Sequence, residues 1–138
     1  MKKEFEFINH TADVGIIAYG ADMKETFANA AKALFSLIAE LDNVAEVVHR
    51  DIELTAPDQE SLLVAWLNEL IYLFDTENML FKRCDITQIS QTQLKARSYG
   101  DKVDSSKHKI KTGVKAATYH MLKIDKSNGC KAQVLFDI

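Results

Sequence analysis

Between Leu62 and Phe74 the large apolar residues fall at Leu62, Leu63, Trp66, Leu67, Leu70, Ile71 and Phe74, steps of one and three that an α-helix gathers on one face. Pro57 ends whatever extended segment precedes, and Asp58 offers an acceptor to the first free N–H groups, so the spacing predicts a helix that starts there and closes at Asp75-Thr-Glu-Asn78. A stripe this apolar must be buried, and the rest of the chain has to supply the surface that covers it.

A second stripe, Phe27, Ala30, Ala31, Leu34, Leu37, Ile38 and Leu41, follows Asp22-Met-Lys-Glu25, in which the aspartate and the glutamate three residues later can each satisfy a free N–H at a helix start. The other segments have the period of strands. Lys3 to Ile8 alternates charge with Phe5 and Phe7; Val14 to Tyr19 is apolar and rich in β-formers; Val47 to Thr55 sets Val48, Ile52 and Leu54 against His49, Asp51 and Glu53. Leu80 to Ser90 and Thr92 to Tyr99 read as two strands, with Gly100-Asp101 as a turn and residues 101–111 as a polar, mobile loop. Val114 to Asp125 and Lys131 to Asp137 flank Ser127-Asn-Gly129, which predicts a tight hairpin with positive φ at its centre. Six or seven strands and two helices without strict alternation predict an α+β fold, a single compact domain over residues 1–138 with two amphipathic helices packed on one face of a mainly antiparallel β-sheet.

Composition then removes whole classes of function. A net charge of −3 leaves no excess of Lys and Arg for gripping a nucleic-acid backbone, so work near RNA would go through another protein. Cys84 and Cys130 lack metal-motif spacing and read as reduced thiols that fill the core. The segment Met1-Lys-Lys-Glu-Phe-Glu-Phe has no apolar leader region, and no stretch approaches the ~20 apolar residues of a membrane span, so the expected location is cytoplasmic with no membrane contact. Phosphate-cradling glycine loops, C-x-x-C and H-E-x-x-H are absent, no serine sits in a nucleophile elbow, and His10, His49, His108 and His120 are far apart in sequence. The chain carries little catalytic machinery of its own.

Two places hold ionisable groups that could meet. His10-Thr-Ala-Asp-Val-Gly15 packs an imidazole, a hydroxyl, a carboxylate and a flexible glycine between apolar segments, and Leu135-Phe-Asp-Ile138 places Asp137 next to a terminal carboxylate on Ile138. A sheet could bring Asp13 beside Asp137 and Ile138. Oxygen-only ligands of that kind select hard ions, Ca²⁺, Mg²⁺ or Mn²⁺, over zinc. The plainer reading is that Asp13 caps a turn and Asp137 is a solvated strand end.

Four blocks, His10-Thr-Ala-Asp-Val-Gly15, Leu62-Leu-Val-Ala-Trp-Leu-Asn-Glu-Leu-Ile-Tyr-Leu73, Lys115-Ala-Ala-Thr-Tyr-His120 and Phe136-Asp-Ile138, together resemble the archease family, in the family's order and over essentially the whole chain. The resemblance implies a cytoplasmic protein cofactor, not itself an enzyme, that activates the RtcB-type RNA ligase of tRNA splicing. It would promote guanylylation of the ligase's active-site histidine, support multiple turnovers and broaden nucleotide use, meeting GTP and tRNA halves only through the ligase. It also implies a metal site on Asp13, Asp137 and Ile138, with calcium the expected ion, and roles in ligase activation or in orienting the site for His10, Lys115 and His120. Asn9 departs from the aspartate that the family often has before the histidine, which removes a charge near the site. Glu25 reads as a capping residue. Readings from other classes are a general chaperone or a modulator of an RNA-modification enzyme such as a tRNA methyltransferase, and a stand-alone metal-dependent hydrolase.

Overall fold

The computed structural model describes residues 3–10 and 13–138. Its elements run β1 (Phe5–His10), β2 (Asp13–Gly20), α1 (Met23–Ile38), β3 (Val48–Thr55), α2 (Gln59–Glu77), β4 (Met79–Ile89), β5 (Gln93–Lys102), β6 (Ala116–Ala117), β7 (Lys123–Asp125) and β8 (Cys130–Asp137). The strands divide into two sheets. The larger has the order β1-β2-β8-β6, with β7 also on β8; the smaller has the order β3-β5-β4; and the pairings in both are antiparallel. The α+β class with two helices and mainly antiparallel strands holds, with the strands shared between two sheets.

Both helices begin as their sequences dictate. Asp22 accepts from the Glu25 N–H at 2.9 Å while Glu25 accepts from the Ala21 N–H at 2.8 Å, a reciprocal cap. Asp58 accepts from the Ser61 N–H at 2.7 Å, and this hydrogen bond holds its carboxyl below the usual aspartate range. Asn78 closes α2 in the left-handed conformation, φ 56°, which asparagine tolerates better than most residues. α1 packs on β2 and on β4, so it spans the two sheets, and α2 lies against α1, β3, β4 and β6. Trp66, Phe27, Phe35, Phe81 and Phe136 are fully buried between these layers. The Trp66 indole N–H donates to the Phe27 carbonyl at 3.0 Å, which satisfies a polar atom in the core and ties α2 to α1. Cys130 is buried and Cys84 half-buried, both are free thiols, and burial pushes the Cys84 thiol up to about 12. Among the described residues no helix is long and apolar enough to cross a membrane.

Four local expectations change. Gly100 lies inside β5 rather than in a turn, since a Cβ there would stand 1.8 Å from the Leu80 carbonyl oxygen; the glycine permits close approach of β4. Asp101 and Lys102 finish β5, and the residues after them to Lys111 form a folded strap rather than an open loop. The buried His108 ring accepts from the Asp104 N–H at 2.9 Å and meets the Asn43 carbonyl at 3.2 Å, while Glu40 N–H donates to Lys109 O and Lys111 N–H to Ile38 O. This strap takes up polar groups at the end of α1, and the apolar stripe runs on to Leu41 after the helix has stopped at Ile38. Val114 to Asp125 is not one strand but two short ones, β6 and β7. The hairpin around Asn128-Gly129 has positive φ only at Gly129, 75°, and spans the residues between the paired Asp125 and Lys131.

Candidate functional site at the end of the larger sheet

β2 and β8 are antiparallel neighbours with Val14 opposite Phe136, Ile16 opposite Val134 and Ala18 opposite Ala132. Ile16, Ala18, Val134 and Phe136 are buried and share the face that α1 covers. Alternation sends Asp13 and Asp137 to the opposite face. They stand one rung beyond Val14 and Phe136, at the same end of the sheet. The β1–β2 hairpin places His10 opposite Asp13 in register, so the motif brackets this end. Thr11, Ala12 and the His10 side chain lie outside the described residues. Gly15, two positions inward from Asp13, is there for space rather than flexibility: a Cβ would stand 2.5 Å from Leu135 Cδ2, 2.8 Å from Ile8 Cγ1 and 2.9 Å from the Val134 carbonyl oxygen. Leu135 is thereby fully buried on the outer face, and packs the floor beneath the two aspartates.

β6 completes the edge. Ala116 pairs with Asp137 and Ala117 with Phe136, and the Lys115 N–H donates to the Asp137 carbonyl at 2.8 Å. The Lys115 main chain therefore lies beside that of Asp137. α2 fixes this short strand from the core side, where Asn68 Oδ1 accepts from the Ala117 N–H at 2.8 Å. Asn68 was not a predicted site residue; the signal for it is a lone amide within the apolar run Leu62 to Leu73. His120 is exposed, and lies beyond β6 in a four-residue excursion of the edge rather than on the aspartate rung.

The donor set suits a hard cation. Among the described residues no three His, Cys, Asp or Glu side chains are gathered to hold a metal ion. Asp13 and Asp137 supply two side-chain carboxylates on neighbouring strands, like charges that a divalent cation would reconcile. The resemblance assigns a further oxygen to the terminal Ile138, which follows Asp137 directly and is half exposed. Carboxylate oxygens are the donors that a hard cation such as calcium, magnesium or manganese would favour over zinc.

The chain matches the Archease protein family (MTH1598/TM1083) over residues 5–138. It belongs to the archease family. It is 40% identical to Protein archease of Methanosarcina mazei over 141 residues, covering 99% of this chain and 97% of that one. It is 40% identical to Protein archease of Pyrococcus furiosus over 128 residues, covering 90% and 89%. The solution structure of Methanobacterium thermoautotrophicum protein 1598 superposes with a TM-score of 0.82 at 34% identity, covering 98% of this chain and 99% of that one. An archease from Thermotoga maritima, described as a possible chaperone, superposes with a TM-score of 0.60 at 20% identity over 100% and 98% of the two chains, and speaks for the fold alone.

Proposed function

We propose that this archease-family chain is a protein cofactor of an RtcB-type RNA ligase, acting through the sheet end that carries Asp13 and Asp137. The supporting observation is the placement of those two carboxylates on one face, one rung past Val14 and Phe136, in a chain whose family membership extends over that motif and the last strand. Asp13, Asp137 and Ile138 hold a divalent cation, calcium first, with magnesium or manganese as alternatives. Such an ion supplies neutralisation of phosphate charge. The chain's own residues do the positioning. Leu135 and Gly15 form a packed floor under the two aspartates, and Asn68 pins β6 so that Lys115 stays beside Asp137. Lys115 contacts phosphate or an acidic group at the ligase centre, His10 orients the site, and His120 serves ligase activation from the neighbouring edge.

Nucleotidyl transfer depends mainly on placing the reacting groups and balancing their charge, so a small protein can assist it without a nucleophile of its own. In the ligase, a histidine nitrogen attacks the α-phosphorus of GTP, the bond to the β-phosphate breaks and pyrophosphate leaves; the archease-family chain promotes this step, supports repeated turnover and broadens nucleotide use. It acts in tRNA splicing, in the cytoplasm, and meets RNA only through the ligase. The test is guanylylation of a cognate ligase at limiting GTP, with wild type and with folded Asp13→Ala and Asp137→Ala chains. Both substitutions are expected to abolish stimulation; undiminished stimulation by either overturns the proposal. A general chaperone would instead hold unfolded clients in the absence of ligase; the Thermotoga protein is described as a possible chaperone.

A further inference from the structure

The free edge of β8 is not covered by one continuous strand. Ala117 pairs with Phe136, the Thr118 N–H donates to Leu135 O at 3.0 Å, and pairing resumes at Lys123 opposite Gln133. Four residues, 119–122, therefore stand where the ladder has room for one, opposite Val134. The excursion is anchored at both ends and in the middle. Thr118 Oγ1 donates to Leu135 O at 3.0 Å, the Leu122 N–H donates to Tyr119 O at 3.2 Å, Leu122 packs on the core, and Gln133 Nε2 donates to Met121 O at 3.0 Å. Met121 is held at φ 55°, a left-handed conformation that a methionine adopts only when its surroundings impose it.

The apex of this excursion carries two large apolar side chains on either side of the exposed His120. Tyr119 is 59% exposed and Met121 49%. A bulge alone would suffice to blunt a sheet edge against wrong pairing, and proteins that need only this put charges on it. Two large apolar side chains on a fixed, strained protrusion are the opposite choice. Its root at Leu135 is two residues from Asp137, roughly 7 Å along the strand, and Ile138, half exposed, lies past Asp137 at the same sheet end. The aspartate pair thus has an apolar neighbour on one side, built into the same edge.

We propose that Tyr119 and Met121 form an apolar anchor that seats in a hydrophobic recess of the protein whose active centre receives the Asp13–Asp137 end, and that this anchor supplies most of the holding affinity while the aspartates act on chemistry. The proposal rests on the ligase-activator reading, so the recess lies on the RNA ligase beside its nucleotide site. Continuity with the aspartate end selects this partner: an excursion rooted two rungs from Asp137 enters the same interface. A tyrosine and a flexible thioether are side chains enriched in the buried centres of protein interfaces.

The test measures binding of a cognate ligase by isothermal titration and, in parallel, its guanylylation at saturating cofactor. The chains compared are wild type, Tyr119→Ser/Met121→Ser, Met121→Gly, and Val47→Ser, an exposed apolar residue just before the smaller sheet. The double variant should bind at least tenfold more weakly, yet reach near wild-type guanylylation once saturating. Met121→Gly relieves the backbone constraint and removes the side chain, so it should be at least as stable as wild type while still losing several-fold in affinity, which separates anchoring from folding. Val47→Ser should bind as wild type does. Double-variant affinity within twofold of wild type overturns the anchor and leaves the activator reading standing. A wild-type chain that neither binds nor stimulates the ligase overturns both.

Discussion

Asp13 and Asp137, 124 positions apart in the chain, stand on adjoining antiparallel strands and on the same face of the larger sheet, one rung beyond Val14 and Phe136. Calcium bound between them should stabilise the folded chain by mass action, about 2.7 kcal/mol at a free concentration one hundred times Kd. In a melting experiment this is a rise of roughly 5–10 °C, reversed by a chelator. The rise should vanish in Asp13→Asn and in Asp137→Asn. A calcium-independent Tm in wild type removes the metal from the proposal.

Gly15 leaves room for Leu135 and Ile8, and an added Cβ would also stand 2.9 Å from the Val134 carbonyl oxygen, a main-chain atom that no rotamer change can move. Gly15→Ala should destabilise by about 1–3 kcal/mol through overpacking. Because β2 is pushed away from β8 directly below the aspartates, calcium affinity should fall with stability. Urea unfolding of the two chains, with and without calcium, measures both effects.

Asn68 accepts the Ala117 N–H at 2.8 Å, and Ala117 is buried. Asn68→Ala strands that donor, a cost of about 1–3 kcal/mol. The loss should be local as well as global: hydrogen exchange at Ala117 and Thr118 should accelerate, while exchange in β3–β5 follows the global stability alone. Equal acceleration in both sheets would show that Asn68 merely supports the core.

The cap at Asp58 carries a sign for pH. The Ser61 backbone N–H, with the Ser61 side chain, lowers its carboxyl below the ordinary aspartate value in the folded chain. The contribution is therefore complete above the unfolded aspartate range and is lost as pH falls through the folded value. Asp58→Asn keeps a capping oxygen without a titrating group, so its Tm should decline less steeply than that of wild type on going from pH 6 to pH 3. Glu69 has the opposite sign, since burial, with Glu77 nearby, raises its carboxyl. Glu69→Gln should raise Tm at pH 7 and lose that advantage in acid.

The helices were legible because a helix is read within its own segment. The Asp22–Glu25 cap, the Asp58 cap and the stripe from Leu62 to Phe74 all concern residues a few positions apart, and each stands where its spacing puts it. The strap of residues 103–111 was not legible, since its polar composition suggests solvent while its clasp, the carbonyl of Asn43 on His108, lies 65 positions away. Gly100 misled for a similar reason: glycine signals a turn locally, but here the cause is the Leu80 carbonyl across the sheet. Of the candidate site, alternation gave the faces of Asp13 and Asp137 once their strands were known to be neighbours. Nothing local reported Asn68 holding β6, or the departure of residues 119–122 from the edge.

What the sequence by itself determined is therefore the identity and phase of the two helices and the longer strands, and through four ordered blocks the family. Periodicity and capping are properties of a chain with itself, at separations of two to four residues. The tertiary structure decided which strands became neighbours, the division into two sheets, and the rung on which residue 13 meets residue 137. Those choices follow from burying Ile16, Val134 and Phe136 under α1 while Gly15 admits Leu135 on the other face, a fit among side chains that no single segment contains.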